Sequence, residues 1–167
     1  MKTVLIFVLL SCIITFTACS VKQPSDRLCI SDEYTVAEAP AFSFSADIPD
    51  DAVALTRTDS GCVLYEQGDY EILQEVFSGK TAEDGLRRIT GKSMEELSVI
   101  CLSAFPQEEY RFSWTAAGES GDLTCCGVML YDGSTCYSLT FQCPAQLENR
   151  YRNVFYHVIS NVHLEPV

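Results

Sequence analysis

The chain has 167 residues with 11 Lys plus Arg against 23 Asp plus Glu, a formal net charge of −12, and 47% of its residues are hydrophobic. That length supports one domain, and that apolar fraction is enough for a core, which excludes a wholly disordered chain. The acidity excludes nucleic acid as a partner, because phosphates would repel the surface that has to approach them.

The first 18 residues, MKTVLIFVLLSCIITFTA, carry one positive charge at Lys2 and then 12 apolar residues of 16 with no charge. This is the pattern of an export signal, and the apolar run is shorter than the roughly 20 residues a membrane span needs. The run ends Phe16-Thr17-Ala18-Cys19, which resembles the lipobox of bacterial lipoproteins, with Phe16 where that family usually has Leu. A second match, Leu9-Leu10-Ser11-Cys12, has the Leu but leaves too short an apolar core before it. The resemblance implies cleavage before Cys19, acylation of Cys19 and attachment to a membrane through its acyl chains, on the extracytoplasmic side. Two or more such chains hold a soluble domain stably where one does not.

Removing residues 1–18 deletes one Lys and no acid, so the remaining chain carries −13 and the acidity belongs to the domain. Of nine cysteines, Cys12 leaves with the leader and Cys19 is the lipid-attachment residue, leaving Cys29, Cys62, Cys101, Cys125, Cys126, Cys136 and Cys143. Seven is odd, so at least one thiol stays free or pairs between chains. No Cys-x-x-Cys occurs, and Cys125 and Cys126 are adjacent on an expected strand and point to opposite faces, against their sharing a metal. Most of the thiols are read as small buried apolar groups.

Residues 19–40 are mixed, polar and aperiodic and read as a tether, with a single domain over 41–167. Phe42, Phe44, Ala46 and Ile48 alternate with polar residues up to Pro49, a strand with one buried face. Val53 to Arg57, Cys62 to Glu66 and Tyr70 to Phe77 follow as short strands separated by Asp59-Ser60-Gly61 and Gly68-Asp69. Thr81 with an acid three places on predicts a helix start, Gly91 its end, and Ser93-Met94-Glu95-Glu96 repeats the capping signature for a second short helix or turn. Tyr110, Phe112 and Trp114 alternate along another strand, read as core. Leu123 to Tyr131 and Ser134 to Cys143 flank Asp132-Gly133, a strong hairpin signal. With those two residues as the loop, Val128 faces Tyr137 and Cys126 faces Leu139. Cys126, Val128, Leu130, Tyr137, Leu139 and Phe141 then share the core face. From Pro144 a final helix places Leu147, Tyr151, Val154, Phe155, Val158, Ile159 and Val162 on one stripe.

In this order of elements the domain is similar to small bacterial lipoproteins with a PsbP/DcrB-like domain. The likeness rests on Phe-x-Phe-x-x-x-Ile-Pro-Asp at 42–50, the helix around Thr81 to Gly91, the strands to Phe141 and Tyr-x-x-Val-Phe-x-x-Val-Ile-Ser at 151–160. It implies an α+β fold, an antiparallel sheet flanked by helices in an α/β/α sandwich, and a non-catalytic accessory or binding role.

No hydrolase, nucleotide-binding or metalloprotease motif occurs. His157 and His163 are placed on the polar face and at the frayed end of the last helix, as solvated side chains. Glu66, Asp69, Glu71 and Glu75 are read as a wet strand face rather than as paired catalytic carboxylates. The sequence therefore predicts a lipid-anchored, non-catalytic envelope domain that binds an envelope protein or other ligand, with no cofactor and no metal. The alternative is a thiol-based redox or metal-handling protein using Cys125, Cys126, Cys136 and Cys143.

Overall fold

The computed structural model describes residues 40–57, 62–104 and 107–167. Cys19, Cys29, the leader and all but the last residue of the tether lie outside these.

Strands β2 (Val53–Arg57), β3 (Val63–Gln67), β4 (Tyr70–Ser78), β5 (Ser98–Ala104), β6 (Gln107–Gly118), β7 (Gly121–Tyr131) and β8 (Thr135–Pro144) form one seven-stranded sheet in the order β2-β3-β4-β8-β7-β6-β5. Every neighbouring pair in it is antiparallel. Helix α1 (Ala82–Thr90) connects β4 to β5, and α2 (Glu148–Ser160) follows β8 after a short 3-10 turn at Ala145–Leu147. β1 (Phe42–Ala46) pairs with β9 (Val162–Pro166) as a separate two-stranded ribbon.

β8 lies at the middle of the sheet, and nine of its ten residues are buried because both faces are covered. Cys126, Val128, Leu130, Tyr137, Leu139 and Phe141 share one core with Tyr151, Val158 and Ile159 of α2 and with Phe44 of the ribbon. Phe42 and Phe44 meet the Tyr137 ring edge-on, with centroids 6.3 and 6.1 Å away. On the opposite face Phe77, Met129, Cys136, Tyr110 and Phe112 pack under Ala82 and Leu86 of α1. This is the expected layered α+β architecture.

α1 begins and ends at the expected caps. Thr81 Oγ1 accepts the Asp84 N–H at 3.1 Å, and Gly91, at φ 70°, donates its N–H to the Arg87 carbonyl. A Cβ at Gly85 would lie 2.6 Å from Cys136 Sγ and 2.8 Å from Met129 Sδ, so glycine is what lets the helix sit this low on the sheet. The Ser93–Glu96 capping box is present but serves only one 3-10 turn at Met94–Glu96 before β5 begins.

Two expectations need correction. The first is the hairpin register: Val128 faces Leu139 and Cys126 faces Phe141, with Leu130 opposite Tyr137. The tip is Gly133-Ser134 rather than Asp132-Gly133. Asp132 ends the ladder, donating its N–H to the Thr135 carbonyl, while its carboxylate accepts the N–H groups of Ser134 (2.9 Å) and Thr135 (2.8 Å) and the Tyr137 hydroxyl (3.1 Å). Gly133 takes the positive φ of 99° that the tip requires. A shift of two leaves every side chain on its expected face, since the side-chain period is two.

The second correction concerns the last helix, which stops at Ser160. Asn161 donates its side-chain N–H to the His157 carbonyl at 2.7 Å, and the chain turns into β9, where Val162 and Leu164 still face the core. His163 is therefore an exposed strand residue opposite Ser45, not a frayed helix end.

Asp132→Ala is expected to destabilise the domain by about 1–2 kcal/mol at pH 7, since charge-assisted hydrogen bonds to backbone N–H groups are lost. Burial raises the Asp132 carboxyl, but hydrogen bonds from Thr135, Ser134 and Tyr137 outweigh it and hold the pKa below its ordinary 3.8. A depressed acid stabilises above its unfolded pKa and loses that contribution as pH falls through the folded one. Urea melts should show the gap between wild type and variant closing below pH 3.8.

Candidate functional site

An open groove of about 360 Å³ lies on the α2 face, between that helix and the β6–β8 part of the sheet. α2 runs over the β4–β8–β7 side, and β6 presents Ser113 and Thr115 to this face, so nothing bulky fills the space beside the helix. Phe141, Cys126 and Cys143 make the floor, and Tyr151, Phe155 and Tyr156 make the helix wall. Phe155 is tilted against Phe141 at 5.9 Å and against Tyr156 at 5.1 Å. Tyr156 is 55% exposed, an aromatic ring left at the mouth. At the rim, Glu148 and Arg152 form an ion pair at 3.1 Å, and Thr124 Oγ1 donates to Glu148 at 3.4 Å. An apolar floor with a few polar groups at its edge suits a ligand or a protruding partner side chain.

A smaller pocket, about 210 Å³, opens at the end of the sheet near the β3–β4 and β6–β7 turns. Glu66, Asp69, Glu71 and Asp122 line it. Asp69 accepts from the Tyr151 hydroxyl at 2.6 Å and Arg150 at 3.2 Å, which ties the β3–β4 turn to α2.

The four cysteines of the thiol alternative do not converge. Cys126 and Cys143 face the groove, whereas Cys125 and Cys136 face α1's side of the sheet. Cys125 is opposite Gln142 and Cys136 opposite Tyr131, about 20 Å apart along the strands. Burial pushes the Cys125, Cys136 and Cys62 thiols up to about 12, and raises Cys126 and Cys143 as well. Protonated thiols are poor nucleophiles, so these groups behave as the small apolar residues expected. Cys101 on β5 is the exposed free cysteine among the described residues. Among those residues no three His, Cys, Asp or Glu side chains gather into a metal-binding group.

The acids of β4 are not a wet face, which corrects the sequence expectation. Glu71 is 9% and Glu75 6% exposed. Glu71 accepts a hydrogen bond from Gln142 Nε2 at 3.0 Å, and Glu75 lies opposite Ser138 of β8. The two acids are four strand positions apart, about 13 Å, beyond the carboxylate spacing of either glycosidase class. Beside them, Ser138 Oγ and Thr140 Oγ1 are buried without hydrogen-bond partners. His157 is exposed, as expected, with Nδ1 3.2 Å from the Asn161 side chain. Phe112 and Trp114 stack at 5.7 Å, and Phe112 and Tyr110 are core residues.

No protein-family model and no curated protein matches the sequence. The antiparallel sheet with a helix on each face is a PsbP-like α+β fold. Among solved structures it is similar to LpqN of Mycobacterium tuberculosis, a protein described as involved in cell envelope biogenesis, at 9% identity and a TM-score of 0.53, over 77% of this chain and 87% of that one. It is likewise similar to CyanoP, the cyanobacterial PsbP of Synechocystis, at 9% identity and a TM-score of 0.53, over 82% and 98%. At such identities the likeness is one of fold, and function has to be argued from the groove.

Proposed function

We propose that this chain is a lipid-anchored, non-catalytic binding domain of the bacterial cell envelope, held on the extracytoplasmic side by acyl chains on Cys19, and that its partner or ligand seats in the groove beside α2. The groove itself carries the reading: it offers an apolar floor at Phe141, a wall at Phe155 and an exposed Tyr156, while its thiols are kept protonated by burial. The leader and Cys19 supply the anchor. LpqN, with a similar fold, is described as an envelope-biogenesis protein, which supports the location.

The test uses the full chain expressed in a bacterial host. Intact mass of the membrane-extracted protein should show loss of residues 1–18 and an acyl increment on Cys19, and Cys19→Ser should release the chain from the membrane fraction. In the native host, Tyr156→Ala with Arg152→Ala should fail to complement a deletion while keeping the anchor and the melting temperature. An unacylated wild-type chain would sink the anchor, and full complementation by the double variant would move the binding surface away from α2.

A further inference from the structure

The two edges of the main sheet are built differently. β2, at one end, has five residues and a bulge between Ala54 and Thr56, an irregularity that spoils an edge for further pairing. β5, at the other end, has seven residues and an unbroken register from Ser98 opposite Ser113 to Ala104 opposite Gln107. Its sequence, SVICLSA, contains no charged residue and no proline, in a chain of net charge −12. Ile100 is 62% and Leu102 44% exposed, and both lie on the α2 face of the sheet, opposite Arg111 and Glu109. A long, uncharged edge of unbroken register with exposed apolar side chains is what a protein that stays monomeric normally avoids.

We propose that two copies of this chain pair antiparallel through β5, about a two-fold axis at Cys101, so that their sheets become continuous. Copies carrying this much negative charge repel each other across most of their surfaces, and the uncharged strand is where they can approach. Cys101 is the midpoint of Ser98–Ala104, so a two-fold axis there pairs the whole strand with itself. In that register Ile100 falls opposite the partner's Leu102, and Leu102 opposite the partner's Ile100. Four exposed apolar side chains then cover one another on one face.

Cys101, exposed and not in a disulfide, meets its own copy. Directly opposed residues of an antiparallel pair have Cα atoms about 4.5–5.5 Å apart, inside the range a disulfide spans. The contact is isologous and closes as a dimer, whereas joining β5 to β2 of another copy would propagate without end. A seven-residue strand pair buries less than a standard interface, so the dimer is weak and concentration-dependent until the two Cys101 thiols are oxidised. In that step the thiols give up two protons and two electrons to a disulfide oxidant, which leaves as two thiols while the Sγ–Sγ bond forms.

The experiment takes the full, detergent-extracted chain, oxidises it with oxidised glutathione and resolves it on a non-reducing gel, with peptide mass to locate the link. A Cys101–Cys101 dimer is expected from the wild type and is lost in Cys101→Ser. Ile100→Glu with Leu102→Glu places like charges at the axis and should cut the yield about tenfold or more, at an unchanged melting temperature because both sites are exposed. By sedimentation, Cys101→Ser should still dimerise with rising concentration and the double glutamate variant should not. Equal cross-linking in the glutamate variant would mean chance collision of an accessible thiol. Either that result or a Cys101→Ser chain that is monomeric at every concentration overturns the proposal.

Discussion

Phe141→Ala is expected to cost about 3–5 kcal/mol and to lower the melting temperature by about 10–20 °C. Phe141 is 2% exposed on the central strand, opposite Ile72 of β4 and Cys126 of β7. Its ring stacks on Tyr70 at 5.1 Å and supports Phe155 of α2 at 5.9 Å. Tyr70 in turn meets Tyr151 at 5.1 Å, so one ring holds both β4 and the helix in place. The floor on which α2 rests would therefore go, and the groove would deepen toward Cys126. Denaturant melts measure the stability loss, and hydrogen exchange in α2 should rise with it. Tyr156→Ala, at the exposed mouth, should stay within about 0.5 kcal/mol of wild type. A loss below about 1 kcal/mol at Phe141 would mean that α2 settles into the vacated space, and the groove would not be a rigid feature.

What the sequence made legible was set by local physics. The alternation through Cys126, Val128 and Leu130 and through Tyr137, Leu139 and Phe141 defines a face, and the face survived a hairpin register displaced by two. The displacement itself depends on how many backbone N–H groups the Asp132 carboxylate gathers, which the Asp-Gly pair does not encode. β9 was hidden because Val162 continues the helical stripe of α2; only Asn161, whose side chain closes the helix, marks the break. β5 was not anticipated because Val99, Ile100, Cys101 and Leu102 form a short apolar run with no period, bounded by a capping box that suggests helix. The groove was not legible at all. It exists because α2 lies to one side of the sheet while β6 turns Ser113 and Thr115 toward it, a matter of tertiary placement.

Buried Glu75 carries the second large expected effect. At 6% exposure, burial raises its carboxyl to about 7, with the Arg88 guanidinium acting in the opposite direction. In the unfolded chain the same group titrates near 4.5. Between those two values the folded protein binds a proton that the unfolded chain has lost. The Glu75 contribution to stability is therefore greatest below pH 4.5, falls as pH rises toward about 7, and is level above it. The difference corresponds to about 3 kcal/mol lost by pH 8.

Glu75→Gln keeps the shape and removes the titration. It should leave the domain unchanged at pH 4 and stabilise it by up to about 3 kcal/mol at pH 8. One neighbour favours the amide: Ser138 Oγ lies across the strand pair without a hydrogen-bond partner. Urea melts of wild type and variant at pH 4, 6 and 8 measure the effect. Parallel pH profiles would assign the slope to another group and show that water reaches the Glu75 carboxylate in the folded protein.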